Sequence, residues 1–139
     1  MRFNLLMCFI FLFSVAFGQA EWDRVQIVGN NTGVSSFSKK QITLIFKGKK
    51  SRWDNDENIT VVLPSSKHKG CEVMAKTIFS ADMKFVKRYW LSIVFQGRAD
   101  APVYLDSNDE ILDYIEKHSG AVGILIDNNK KSKFSIEVE

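Results

Sequence analysis

Cysteine, proline and histidine are scarce in this chain of 139 residues, which contains only two of each. Cys8 lies in an apolar N-terminal run, so the rest of the chain has Cys71 alone and cannot form an internal disulfide. We interpret Cys71 as a buried, inert thiol. His68 and His118 lack the spacing of metal ligands, and no third group completes a nucleophile–base pair of Cys71 and His68. The sequence therefore predicts no metal site, no cofactor and no enzyme activity.

Long apolar runs are also absent except at the N-terminus, where Leu5–Phe17 carries no charge. This run follows a positively charged start and ends in small residues near Gly18 and Ala20. The arrangement is typical of a secretory signal peptide, so we predict a signal over residues 1–18, cleaved just after Gly18 or Ala20. The alternative is a membrane anchor, which is disfavoured because a span needs ~20 apolar residues. No membrane-spanning segment is expected after cleavage.

The remaining residues, 19–139, are expected to form one domain. Hydrophobic residues make up 45% of the chain and include 11 phenylalanines, which is enough for a core without disulfides. Short apolar runs alternate with segments of helical periodicity, a pattern that favours a three-layer α/β domain with a mainly parallel sheet. Strands are predicted at 25–28, 59–63, 102–105, 122–126 and 134–138, with 102–105 at an edge, where proline is tolerated. Helices are predicted after Ser38, over 71–79, after Ser80 and after Ser107.

One early segment combines a helix start, a helix stop and a basic loop. Ser38 is predicted to cap the helix, and Gln41 to complete a capping box by reaching back to the Ser38 backbone. Gly48 is expected to end the helix in the left-handed conformation. Trp53 is expected to pack near Phe46 and to anchor the basic loop. Together with the strand before it, this unit is interpreted as the first half of a βαβ unit.

Two further helix starts follow from local sequence. Ser80 is predicted to cap the third helix, with Asp82 in its first turn, and Ser107 with Glu110 is predicted to form a second capping box. The apolar stripe of the third helix is predicted to comprise Phe85, Tyr89, Trp90 and Ile93.

Four segments share their order and spacing with one family of proteins. They are Ile45–Lys49 followed by Trp53, Ile59–Leu63, Tyr89–Gly97 and Gly120–Leu125. Through them the chain resembles the phosphate-binding periplasmic proteins of ABC transporters, and more closely a group of short, single-domain secreted relatives. The resemblance covers about Val25 to Ile126. It implies a periplasmic protein with the fold of a single lobe of a periplasmic binding protein.

Two loops are candidates for a ligand site, because each is predicted to leave the carboxyl end of a strand and to enter a helix, where anions are favoured. The first loop contributes Ser35 and Ser36. The second contributes Ser65, Ser66, Lys67, Lys69 and Gly70. This second loop resembles the phosphate-holding loop of the full-length family members, which carries an arginine. Here the serines and the glycine keep the residue type, and the two lysines supply the charge.

These features predict an exported solute-binding module for a small oxyanion, phosphate first. The alternative is an interaction or sensor-accessory module that docks on an inner-membrane transporter or sensor and binds no solute tightly. Charge does not separate the two, although residues 39–98 contain 13 Lys or Arg and 5 Asp or Glu, whereas residues 100–139 contain 4 and 9. The basic half suits an anion-attracting surface or ordinary solvated helix faces. Nucleic acid is not an expected partner, because an exported chain without a binding motif gives no reason for one.

Overall fold

A computed structural model describes residues 21–139, which form one six-stranded sheet with helices on both faces. The predicted signal peptide, 1–18, and its cleavage point lie outside the described residues. The strands are β1 (Val25–Gly29), β2 (Ser36–Phe37), β3 (Thr60–Pro64), β4 (Val103–Leu105), β5 (Ala121–Ile126) and β6 (Ser135–Val138). They lie in the order β2-β6-β1-β5-β3-β4. None of the helices described within 21–139 has the length and apolar character needed to cross a membrane.

The helices divide the core into two layers. They are α1 (Lys39–Phe46), α2 (Cys71–Phe79), α3 (Met83–Phe95) and α4 (Asn108–Lys117), after a short 3-10 turn at Trp22–Arg24. Helices α1, α2 and α3 cover one face of the sheet and share a core with alternate strand residues such as Ile27, Leu63 and Ile124. Helix α4 covers the other face, where it packs on residues such as Val62 and Leu125. The predicted three-layer α/β architecture is confirmed.

Strand direction corrects one prediction. Strands β3, β4 and β5 are mutually parallel, but β1 pairs antiparallel with both β5 and β6. The sheet is therefore mainly parallel, as predicted, while the interpretation of β1 and α1 as the first half of a βαβ unit is wrong. After β1 the chain turns back and adds β2 beside β6 in parallel before α1 begins.

Helix α1 has the capping box and the glycine stop that the sequence predicts. The Ser38 hydroxyl accepts the Gln41 N–H (3.1 Å), and the Gln41 side chain accepts the Ser38 N–H (2.9 Å). Gly48 has a φ of 70°, as its role of helix stop requires. Trp53 is 2% exposed and stacks on Phe37, the residue before the cap, with ring centroids 5.8 Å apart. Its prediction as an apolar anchor is confirmed, with Phe37 as its stacking partner.

Two helix starts differ from their predictions. Ser80 is the C-cap of α2, with a left-handed φ of 51°, and Asp82 is the residue that caps α3 by accepting the Phe85 N–H (2.9 Å). Ser80 and Asp82 are both residue types that cap helices, so the sequence does not tell which of them begins α3. The break between α2 and α3 falls between them. Ser107 does accept the Glu110 N–H (3.1 Å).

The Glu110 carboxylate, however, accepts from the Asp106 N–H (2.9 Å) rather than from Ser107, so the second capping box is shifted by one residue. The predicted stripe of α3 is also only half right. Its buried residues are Met83, Val86, Trp90 and Ile93, whereas Phe85 is 44% exposed.

Candidate functional site

The carboxyl ends of three neighbouring parallel strands, β5, β3 and β4, lie side by side at one end of the sheet, which we call its carboxyl edge. The loops that leave β3 and β4 each enter a helix there, so α2 and α4 begin at the same edge. A cleft of about 470 Å³ lies between these loops and the end of β5. Its lining consists of Lys67, His68, Lys69, Gly70, Asp106, Ser107, Asn108, Ile126 and Asp127. Ligands of open α/β sheets bind at this edge, so the cleft is the candidate site.

Ser65, the first residue after β3, holds the loop in place. Its N–H donates to the Leu105 carbonyl (2.8 Å). Its hydroxyl donates to the Asp106 carboxylate and accepts the Lys67 N–H (3.1 Å). The Ser65 hydroxyl hydrogen is therefore committed within the protein. Ser66 is exposed, and its hydroxyl forms no hydrogen bond with another described residue.

A buried polar network joins the two helix starts to β5. His68 is 6% exposed, and its Nδ1 accepts the Gly70 N–H (2.9 Å), so Nε2 carries the hydrogen that meets Asn108 Oδ1 (2.9 Å). Asn108 Oδ1 also accepts the Ile126 N–H (3.1 Å), and its Nδ2 donates to the Ile126 carbonyl (2.7 Å). Asn108 thus fixes the width of the cleft by tying α4 to both the β3–α2 loop and β5.

The start of α2 packs directly on β5. A Cβ added to Gly70 would lie 2.5 Å from Cβ and Cγ2 of Ile126, so a side chain at this position would push the loop away from the sheet. In the first turn of α2, the N–H groups of Glu72 and Val73 have no acceptor among the described residues, as is usual at a helix start. These N–H groups and the helix dipole make this end of α2 partially positive.

The charges around the cleft are mixed. Lys67 and Lys69 are exposed, and neither forms an ion pair with a carboxylate of residues 21–139. Arg24 holds Asp127 through two hydrogen bonds (2.8 and 2.7 Å), which lower the pKa of this carboxyl below its ordinary value of 3.8. Asp106 is the other carboxylate of the cleft. Arg24 compensates the negative charge of Asp127. The cleft therefore keeps the positive charges of two lysines against the negative charge of one remaining carboxylate, Asp106.

The structure does not bring Ser35 and Ser36 to this cleft. Because β1 is antiparallel, its carboxyl end lies at the opposite edge, and the chain returns beside β6 before α1 starts. The Ser36 hydroxyl donates to the Glu139 carboxylate (3.0 Å). Four strand spacings separate β2 from β3, which is about 19 Å. The predicted site residues therefore form two separate groups. In the second group Lys67, Lys69 and Gly70 line the cleft, and Ser65 and Ser66 precede them in the same loop.

Cys71 is buried, as predicted, at 8% exposure. Burial raises the pKa of its thiol, which keeps it protonated and unreactive. The neighbouring His68 already accepts the Gly70 N–H through Nδ1 and faces Asn108 through Nε2. Within residues 21–139 no group of three His, Cys, Asp or Glu side chains is arranged to hold a metal ion. The arrangement thus offers hydrogen-bond donors and positive charge to a ligand.

Sequence reasoning missed the second wall of the cleft. Asp106, Asn108 and Asp127 follow β4 and β5, and each reaches the cleft because its strand is parallel to β3. Ser107 was recognised only as a helix cap. The available signal was polar residues directly after an apolar strand, which occurs after β4 and β5 as it does after β3.

No family model and no curated protein matches this chain. Solved structures do match it. A protein from Clostridium perfringens, solved with bound phosphate and assigned as a phosphate ABC transporter substrate-binding protein, matches with a TM-score of 0.62 at 13% identity. That match covers 83% of this chain and 44% of the other. An ABC-type phosphate transport receptor from Vibrio cholerae gives 0.62 at 15% identity, over 83% of this chain and 46% of the other.

PstS from Borrelia burgdorferi matches more weakly, with a TM-score of 0.51 at 9% identity over 73% of this chain and 40% of the other. This chain thus spans less than half the length of each of these proteins. At such low identities the likeness shows the fold alone. The described residues have the fold of a single lobe of a periplasmic binding protein, and these structural neighbours are phosphate-binding proteins of transporters.

Proposed function

We propose that this protein is an exported binding module for a small oxyanion, with phosphate as the first candidate, and that the anion sits in the cleft between the β3–α2 and β4–α4 loops. The observation that carries the proposal is the position of the cleft. Two helix starts and three parallel strand ends converge on it, in a fold whose structural neighbours are phosphate-binding proteins.

Binding would use hydrogen bonds without chemistry on the ligand. The Ser66 hydroxyl is the side-chain donor that the loop leaves uncommitted, and the first-turn N–H groups of α2 add backbone donors. Lys67 and Lys69 add charge as flexible point cations, which attract an anion but lack the two-pronged geometry of arginine. Ser65 and Gly70 act indirectly, because one shapes the loop and the other lets it approach β5.

The proposal includes location and partners. A cleaved signal over residues 1–18 would deliver the chain to the periplasm, where an inner-membrane transporter or sensor would be its partner. The predicted signal and the structural neighbours support this part of the proposal, since two of the neighbours are described as parts of phosphate transport systems.

A second candidate function is an interaction or sensor-accessory module that holds no solute tightly. It is favoured by one observation: the chain spans 44% of the Clostridium perfringens protein, and so matches one lobe where the neighbour has additional structure. In this case the fold would be retained as a docking surface, and the cleft would stay filled with water.

Calorimetric titration of the purified protein with phosphate and with sulfate separates the two functions. The proposal predicts saturable binding that weakens as salt rises, because exposed lysines are screened. It also predicts that Ser66→Ala weakens phosphate binding by about ten- to a hundredfold, the effect of losing a hydrogen bond to a charged group.

Ser51→Ala is the matched control, since Ser51 is an exposed serine of the segment that enters the amino end of β3, whereas Ser66 follows the carboxyl end. This variant should bind phosphate as the wild type does, and both variants should melt at the wild-type temperature. Absence of saturable binding of either anion at millimolar concentration would reject the solute-binding function in favour of the interaction module.

A further inference from the structure

Helix α3 carries basic and apolar side chains that the proposed binding function does not use. Of the five large hydrophobic side chains that are exposed in the described part of the chain, three lie on this helix: Phe85, Leu91 and Phe95. Leu91 is 70% exposed and Phe95 is 91% exposed. Two cations share their stripe of the helix, since the spacing i, i+4, i+7 and i+11 is that of Lys84, Arg88, Leu91 and Phe95. We refer to these four residues, together with the neighbouring Lys87, as the α3 ridge.

The positive charge of the ridge is not compensated locally. Helix α3 contains no aspartate or glutamate, and the nearest ones in the chain, Asp82 and Asp100, lie beyond its two ends. None of the three cations of the ridge forms an ion pair with a carboxylate of residues 21–139. Cations interspersed with exposed apolar side chains on one helix favour a partner surface that is both anionic and apolar.

A groove lies along each flank of the ridge, and the two grooves differ in chemistry. The first, of about 430 Å³, lies between α3 and the segment that leads into β4. Its lining is mostly apolar and includes Trp90, Leu91, Val94, Pro102 and Tyr104, with Lys87 as its charged member. The second, of about 480 Å³, is lined by Arg88, Ser92, Gln96 and Arg98, and no carboxylate belongs to its described lining. One flank thus suits hydrocarbon, and the other suits an anion such as phosphate.

We propose that the α3 ridge docks on the surface of an anionic lipid bilayer, with the helix lying parallel to that surface. Leu91 and Phe95 enter the boundary between headgroups and acyl chains, while the cations of the ridge contact lipid phosphates. Lipids carry both of the groups that the two grooves suit, a hydrocarbon chain and a phosphate. The contact is independent of the anion cleft, because no residue of the ridge lines that cleft.

The shape of the ridge favours a lipid surface over a folded protein partner. Phe95 is the last residue of α3 and is almost fully exposed, so a protein would need a cavity of matching shape to enclose it. A fluid bilayer interface surrounds a protruding side chain without a preformed cavity. The buried side of α3 stays packed on the protein core, so its 13 residues, about 20 Å, lie along the membrane surface.

Co-sedimentation with lipid vesicles tests the charge of the contact. The protein should bind vesicles of equal parts phosphatidylglycerol and phosphatidylcholine, bind pure phosphatidylcholine at least tenfold more weakly, and be released as salt rises from about 50 to 500 mM. Lys84→Gln and Arg88→Gln should each lower the partition coefficient by about fivefold. Lys117→Gln is the charge-matched control, because it removes one exposed cation from α4 on the other face of the sheet and should leave binding unchanged.

The apolar part of the contact is tested at Leu91 and Phe95. Leu91→Ser should lower the partition coefficient at least tenfold, because the leucine loses its burial in the interface. Val34→Ser is the control, at an apolar residue of 42% exposure in the loop that leads into β2, and should bind as the wild type does. Phe95→Trp places a fluorescent ring on the ridge. Lipids brominated in their acyl chains should quench this variant more strongly than the wild type.

Four results would overturn the proposal. They are no saturable binding to the anionic vesicles, equal effects of Lys84→Gln and Lys117→Gln, equal effects of Leu91→Ser and Val34→Ser, and binding of Phe95→Trp without added quenching. Self-association of the wild type that Leu91→Ser abolishes would also overturn it, and would assign the ridge to a second copy. All variants should melt at the wild-type temperature, and Leu91→Ser should bind phosphate as the wild type does, which separates this test from that of the cleft.

Discussion

The loops after β1 and β3 are similar in composition and have different structures. Each contains serine and glycine; the loop after β3 enters α2 directly, whereas the loop after β1 leads through β2 to α1. The loop after β1 starts at the amino edge of the parallel strands, where Asn31 donates to Glu57 (3.1 Å) and to Ser119 (3.1 Å) in a closed polar network. The loop after β3 starts at the carboxyl edge and opens into the cleft.

Strand direction explains this difference. β1 is antiparallel to β5, so its loop leaves the opposite edge from the loops of β3 and β4. Ser36 and Ser38 lie in and just after β2, which is parallel to β6 but four strand spacings from β3, and their hydroxyls are used within the protein, on Glu139 and on the Gln41 N–H. A serine that precedes a helix thus serves only the protein's own hydrogen bonds, unless the ends of neighbouring parallel strands bring other loops beside it and form a cleft. The predictions that follow address this contrast between a closed amino edge and an open carboxyl edge.

The largest effect is expected from breaking the closed edge at Trp53. Its ring stacks on Phe37, and its Nε1–H donates to the Gly120 carbonyl (2.9 Å) at the start of β5. Trp53→Ala should lower the free energy of unfolding by about 3–5 kcal/mol, measured by urea denaturation. Trp53→Phe keeps a ring and loses the hydrogen bond, so it should cost less. Trp22→Ala, at a half-buried tryptophan, is the control. An equal loss of unfolding free energy in Trp22→Ala would show that Trp53 stabilises the fold no more than another tryptophan does.

The open edge should be most sensitive to Asn108→Ala. Truncation leaves His68 Nε2–H and the N–H and carbonyl of Ile126 without their partner, all close to the protein interior. A loss of about 2–4 kcal/mol is expected in the same denaturation experiment. Asn128→Ala is a control, because Asn128 hydrogen-bonds Gln26 and Lys130 in a more exposed turn. If both variants lose the same small amount, Asn108 does not organise the cleft.

Local sequence was sufficient for features that depend on neighbours in the chain. The Ser38 capping box, the Gly48 stop and the burial of Trp53 follow from spacing within a few residues. The direction of β1 was not predictable in this way, because it depends on pairing with β5 about a hundred residues later. The same limit hid Asp106 and Asn108, which reach the cleft only through the parallel pairing of β4 with β3.

Ser38 and Ser66 should show opposite responses. Ser38→Ala removes a cap and should cost about 0.5–2 kcal/mol of stability. It should leave phosphate affinity unchanged, because α1 begins four strand spacings from β3. Ser66→Ala should leave stability unchanged and reduce phosphate affinity. Thermal melts and calorimetry on both variants check the pair, and a loss of affinity in Ser38→Ala would place the anion near α1 instead.

The smallest effect is expected at the Arg24–Asp127 pair, which is exposed. Arg24 lowers the pKa of Asp127, so the stabilisation is present above the ordinary carboxyl value of 3.8 and is lost as the pH falls through the lowered value. Arg24→Gln should therefore melt slightly below the wild type at pH 7 and at the same temperature in stronger acid. A difference that grows on acidification would contradict this linkage.

The most direct test of the central claim is amide NMR of the ¹⁵N-labelled protein during titration with phosphate. If the anion binds in the cleft between the β3–α2 and β4–α4 loops, the N–H signals of Ser66, Lys67 and Glu72 shift together and saturate, while those of Ser36 and Gln41 stay in place. Saturating shifts at Ser36 and Gln41 with none at Ser66, or no shift anywhere at millimolar phosphate, would contradict the assignment of the β3–α2 loop as the anion site.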